Sequence, residues 1–149
     1  MKKEIPNPFL DGKCFFCGSK NPEGLKLKFY VDDETEEIST EYLPTAPFIG
    51  QGNIFHGGIQ MGLLDEIMGW TSYVATGENA VSSEINVKFL KPVYLGKQVR
   101  IVCRRTSREG SKFFMHARIE TLDSTVCAVA TGTYHVLSKD RYERLIQGQ

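Results

Sequence analysis

Asp65 and Glu66 sit in the middle of an apolar run that opens with His56-Gly57-Gly58 and continues Ile59-Gln60-Met61-Gly62-Leu63-Leu64. A carboxylate among apolar side chains is costly unless it has a partner or a task. Glycines at the mouth of a helix leave uncovered backbone N–H donors, which carry a partial positive charge. Donors of that kind stabilise an oxyanion, and a nearby acid can act as base or acid. The pairing therefore points to attack on a carbonyl or thioester. Of the two acids, Asp65 shares a helical line with Gly58, Gly62 and Gly69, a face almost bare of side chains. Glu66 falls near the stripe Ile59, Leu63, Ile67 and Trp70, which favours a structural polar contact.

These residues need a helix from about His56 or Gly57 to Tyr73, apolar on most sides and therefore buried against a sheet or a partner. The strands are read from alternation. Leu25–Val31 and Ile38–Tyr42 precede the helix, joined by the polar turn at Asp32–Thr35. Val81–Phe89, Gln98–Thr106, Lys112–Leu122 and Thr125–Leu137 follow it. The spacing also places Ser83 on the apolar face of its strand and Ser82 on the other. Residues 1–24, broken by Pro6, Pro8, Gly12, Gly18, Pro22 and Gly24, read as an irregular lead-in, and residues 138–149 as a tail with a short amphipathic helix. The order β-β-α-β-β-β-β with short turns implies one α+β domain over residues 1–149, an antiparallel sheet wrapped around one long central helix.

Composition narrows the function classes. Hydrophobic residues make up 41% and charged residues 24%, ordinary for a globular chain. Eighteen basic residues cancel eighteen acidic ones, so bulk charge argues for neither nucleic acid nor a membrane surface as partner. The start lacks the apolar core of a signal peptide and no apolar run reaches membrane-spanning length; the expectation is a cytoplasmic protein. Cys14 and Cys17 form one C-x-x-C pair, while Cys103 and Cys127 stand alone. One pair is a weak zinc signal, and the reading adopted is a tight turn with no metal; a metal shared with a second chain is the alternative.

The lead-in Cys14-Phe15-Phe16-Cys17-Gly18, the run Asn21-Pro22-Glu23-Gly24-Leu25-Lys26-Leu27, the stretch His56-Gly57-Gly58 to Leu64-Asp65-Glu66, and Ser82-Ser83-Glu84-Ile85-Asn86-Val87-Lys88-Phe89-Leu90-Lys91-Pro92 together resemble the hotdog-fold acyl-CoA thioesterases, in particular their phenylacetate-pathway (PaaI-like) branch. The resemblance covers nearly the whole chain. It implies hydrolysis of an acyl-CoA thioester by water, with no cofactor. Gly57, with Gly58, would donate N–H to the thioester oxygen, and Asp65 would be the general base or the nucleophile. Ser82 would hold the water or the acid, and His56 would assist the carbonyl or the leaving thiolate or fix the loop. Glu66 would line the substrate site. Where many relatives carry Asn this chain has Gly50, so either Gln51 or Asn53 would take over that polar contact or the contact would be absent. A cationic rim for the coenzyme phosphates is expected, with no residue assigned.

The resemblance also implies a homodimer, alone or within a homotetramer, with sites at the interface. Spacing gives a separate reason. Gly57 and Asp65 are eight residues apart, ~12 Å along a helix axis, so one carbonyl does not easily reach both within one chain. A symmetric pair solves this. The competing reading is a non-catalytic acyl-CoA-binding hotdog dimer, since fold does not fix chemistry.

Overall fold

The computed structural model describes residues 1–149. Helix α1 (Gly57–Thr76) starts at His56, whose Nδ1 accepts from the Gly58 N–H, and ends at Gly77, which takes a left-handed φ of 73°. It buries Leu63, Leu64, Ile67, Met68 and Trp70, and lies across the concave face of a single antiparallel sheet. The strands are β1 (Lys2–Glu4), β2 (Tyr30–Asp32), β3 (Ile38–Tyr42), β4 (Ala80–Phe89), β5 (Val99–Glu109), β6 (Lys112–Thr121) and β7 (Val126–Val136), in spatial order β1-β2-β3-β5-β6-β7-β4. Ile101, Cys103, Met115, Ala117, Ile119, Ala128 and Ala130 face the helix and complete one continuous core. Small residues on the central strands let so long a helix settle close to the sheet. This is the hotdog architecture that the sequence led one to expect. A short helix α2 (Lys139–Ile146), capped by the Ser138 hydroxyl, forms the tail.

Two expectations need correction. The lead-in is not wholly irregular: Lys2–Glu4 pairs with Tyr30–Asp32 as an edge strand, held by backbone bonds that no side-chain alternation announces. The strand expected over Leu25–Val31 is regular only from Tyr30. Lys26 has φ 51°, which breaks the extended run, and the amides of Leu25 and Leu27 bond instead to the carbonyls of Phe15 and Phe16. Leu27 and Phe29 are nevertheless buried, so the alternation correctly marked a face while its partner is the lead-in.

The lead-in also covers part of the glycine line on α1. A Cβ at Gly62 would lie 2.1 Å from Phe16 Cζ, so the missing side chain makes room for that ring. Phe9 meets Trp70 edge-on at 6.4 Å, and Trp70 stacks on Phe29 at 4.4 Å. No helix is long and apolar enough to cross a membrane.

Candidate active site

A cleft of about 1000 Å³ opens between the lead-in, α1, the start of β4 and α2. Asp65, Gly69 and Trp70 of α1 line it, with Ser82 of β4 and Tyr134 of β7. Asp65 is half-buried on this wall. The Tyr134 hydroxyl lies 2.5 Å from Asp65 Oδ1 and 3.0 Å from the Asp65 carbonyl, so it donates to the carboxylate and fixes its rotamer. Burial, and then the carboxylate it faces, push the Tyr134 phenol well above its ordinary range, so it remains a donor. Ser82 pairs directly with Tyr134 across β4 and β7, which brings it to the same wall. Nothing in the sequence singles out Tyr134, one aromatic residue among the alternating positions of β7; only the β4–β7 register reveals its place.

Ser83 is not on a buried face. A β-bulge between Ser82 and Glu84 inserts it as the unpaired extra residue, exposed, with Oγ 2.9 Å from His135 Nε2.

The other expected residues lie at the opposite end of the helix, away from Asp65. Gly57 packs at the far end of β4, where a Cβ added to it would meet Phe89 Cζ at 3.5 Å. Its N–H is the one at the helix mouth without an acceptor in the chain: the Gly58 N–H goes to His56 Nδ1 at 2.9 Å, and those of Ile59 and Gln60 go to the His56 carbonyl. His56 thus serves as the helix cap and keeps its Nε2 for a proton. Buried Gln60 ties its amide to the Phe55 carbonyl at 3.0 Å, which fixes the chain entering the helix. Gln51 and Asn53 stand on an exposed loop closed by the bond from the Gly50 N–H to the Ile54 carbonyl, and neither lines the cleft. One chain therefore gathers Asp65 and Ser82, and holds His56, Gly57 and Gly58 apart from them.

Glu66 lies on the cleft wall but turns toward the lead-in. Its Oε1 is 3.5 Å from Cys14 Sγ and 3.3 Å from Trp70 Nε1. Burial pushes its carboxyl up to about 7. The Cys14 thiol is lowered, chiefly by the hydrogen bond from the Cys17 thiol, and that of Cys17 is raised for the same reason.

Comparison with known proteins gives the family and the fold. A curated relative, the acyl-coenzyme A thioesterase THEM4 of Bos taurus, is 25% identical over 122 residues, spanning 80% of this chain. The chain covers 50% of that protein's length. Among solved structures, a thioesterase of Haemophilus influenzae superposes with a TM-score of 0.71 at 19% identity, covering 82% of this chain and 85% of that one. A Streptococcus mutans UA159 protein bound to acetyl CoA gives 0.68 at 23% identity, over 76% and 90%. The PaaI protein of the E. coli phenylacetic acid degradation operon gives 0.65 at 19%, over 68% and 73%. Likeness at these identities establishes the shared fold. The sequence pattern of the Thioesterase superfamily matches residues 52–128, more than half of the 149, and the chain belongs to that superfamily.

Proposed function

We propose that this protein is an acyl-CoA thioesterase of the PaaI-like branch, acting as a homodimer, alone or as half of a tetramer. Its acyl-CoA substrate would lie in a site built by both chains. The observation that carries the proposal is the layout of the unpaired edge strand β4. Ser82, at its beginning, stands over the cleft of Asp65; Phe89, at its end, packs against Gly57, whose N–H is free. If two β4 edges pair antiparallel about a two-fold axis, the beginning of one strand meets the end of the other. The Gly57 amide of one protomer then faces Asp65 and Ser82 of its partner. Half-exposed Phe89 and Leu90 are covered by the same contact.

In that arrangement the thioester oxygen accepts from the Gly57 N–H, a donor typically worth ~3 kcal/mol in the transition state. Asp65, oriented by Tyr134, takes a proton from the attacking water, with Ser82 holding that water; or it attacks the carbonyl itself and the resulting anhydride is hydrolysed. Either route gives the free acid and CoA. His56, accepting from the Gly58 N–H, holds the donor loop in place. Three features of the sequence and fold support the reading: superfamily membership, the curated thioesterase relative, and a carboxylate on a cleft wall at the inner end of the open edge.

The test is thiol release from short, long and aromatic acyl-CoAs. Asp65→Asn should lower kcat by ~10²-fold or more. A wild type inactive on every chain class refutes the enzyme. Micromolar acyl-CoA binding without turnover establishes the second reading, a binding dimer, for which the Tyr134–Asp65 hydrogen bond would be a purely structural contact. Undiminished turnover by Asp65→Asn removes Asp65 from the mechanism.

A further inference from the structure

Cys14, Cys17 and Glu66 play no part in the hydrolysis proposed above, yet they converge. The two Sγ atoms and a Glu66 carboxylate oxygen all lie within 4.8 Å of one another. Separation in sequence hides this, since Glu66 stands 52 positions after Cys14. The tight turn read from the C-x-x-C spacing is present. The Gly18 N–H bonds the Cys14 carbonyl at 2.8 Å, and the Cys17 N–H points at Cys14 Sγ from 3.4 Å. An amide donated to sulfur favours the thiolate, the form that binds metals. Gly18 is obligatory there, because a Cβ would come within 2.3 Å of the Gly12 carbonyl oxygen and 2.5 Å of that of Cys14. The Asn7 side-chain amide holds the Cys17 carbonyl at 2.9 Å, so the loop is pinned from outside as well.

One donor–donor edge has the length a tetrahedral centre requires. With metal–sulfur and metal–oxygen bonds of ~2.3 and ~2.1 Å, a tetrahedral S–O edge is ~3.6 Å. The Cys14 Sγ–Glu66 Oε1 separation is 3.5 Å. Trp70 Nε1 donates to the same carboxylate from 3.3 Å, an outer contact of the kind that orients a ligand. Two thiolates and a carboxylate select zinc among the common divalent ions. The donors are not enclosed: Cys14 and Glu66 lie on the cleft wall while Cys17 is buried behind them.

We propose that Cys14, Cys17 and Glu66 bind one zinc ion per chain, which clasps the lead-in to α1 and keeps its fourth position open to the cleft. This assigns Glu66 to the metal instead of the substrate, and it replaces the metal-free turn expected from the sequence. The proposal does not rest on the thioesterase reading, because its readout is metal, not turnover.

The experiment is metal analysis of the reduced full-length protein dialysed against zinc, with cobalt substituted for spectroscopy. The expected result is one zinc per chain, a cobalt spectrum with tetrahedral d–d bands and thiolate charge transfer, and a lower melting temperature after chelation. Cys17→Ser and Glu66→Gln should lose that stoichiometry, whereas Cys103→Ser, at an isolated buried thiol, should keep it. If a variant fails to fold, the wild-type cobalt spectrum and chelation melt decide the matter alone. Three results overturn the proposal: wild type that takes up no metal at micromolar zinc, Glu66→Gln that binds as tightly as wild type, or a metal-free protein isolated with Cys14 and Cys17 joined as a disulfide.

Discussion

Gly57→Pro tests the two-chain site by removing a single N–H. Gly57 is the first residue of α1, a position where proline is well tolerated because its amide has no intrahelical acceptor. His56 before it has φ −57° and ψ 127°, the extended conformation that a following proline requires. A Cβ at Gly57 would meet only Phe89 at 3.5 Å, an ordinary contact. The helix should therefore survive while its free donor is lost. Losing one such donor costs ~10²–10³ in kcat, about 3–4 kcal/mol of transition-state stabilisation. The decisive assay mixes this variant with Asp65→Asn, after unfolding and refolding together to redistribute chains. Random pairing makes about half the particles mixed, and in each of these one of two sites draws an intact amide from one chain and an intact Asp65 from the other. Turnover should return to roughly a quarter of wild type, from two nearly silent parents. Circular dichroism and sedimentation confirm that each variant is folded and paired. A mixture as inactive as its parents refutes the shared site, as does full activity in Gly57→Pro.

Two further perturbations probe the supports. Tyr134→Phe removes the hydroxyl that sits 2.5 Å from Asp65 Oδ1. A hydrogen bond to a charged group is worth ~1.5–3 kcal/mol, so kcat should fall ~10–100-fold with a smaller change in KM, as steady-state kinetics will show; unchanged kcat would mean that Tyr134 does not orient the acid. At the β2–β3 turn, Asp32 Oδ1 accepts from the amides of Glu34 at 2.8 Å and Thr35 at 3.1 Å. The Thr35 and then the Glu34 amide hold its carboxyl below the usual range. A depressed folded-state pKa gives stability that is present above the unfolded value and lost as pH falls through the folded one. The melting-temperature gap between wild type and Asp32→Ala should be open above roughly pH 5 and close below the ordinary aspartate pKa of about 3.9. A gap that widens on acidification would contradict this.

The long elements were legible because each carries its own periodicity. Ile38–Tyr42, α1 and the four strands after it lie where alternation and the apolar run place them, within a few residues at their ends. What escaped depends on contacts that no local pattern encodes. The strand at Lys2–Glu4 is set by its neighbour's backbone, and the bulge at Ser83 by a mismatch of register with β7. For the site, Asp65 stood out because an acid in an apolar helix is conspicuous, and the free Gly57 amide follows from any helix start. Tyr134 did not, since its role arises only when β7 lies under α1. The C-x-x-C pair was visible, but its third donor was not, because Glu66 reaches it through the docking of the lead-in on Phe16 and Phe9.

The two margins of the sheet are unlike each other. β1 is three residues long, exposed at every position and carries Lys2 and Lys3, whereas β4 runs ten residues with no neighbour on its outer side. Short, charged margins resist adding strands and long ones invite it. Joining two sheets along their inviting sides leaves only the resistant sides outward. In the proposed pairing such a ribbon would be self-terminating: the same asymmetry that would select a mate along β4 would also stop further strand addition, and would spare the chain the fibrous fate of sheets open at both margins.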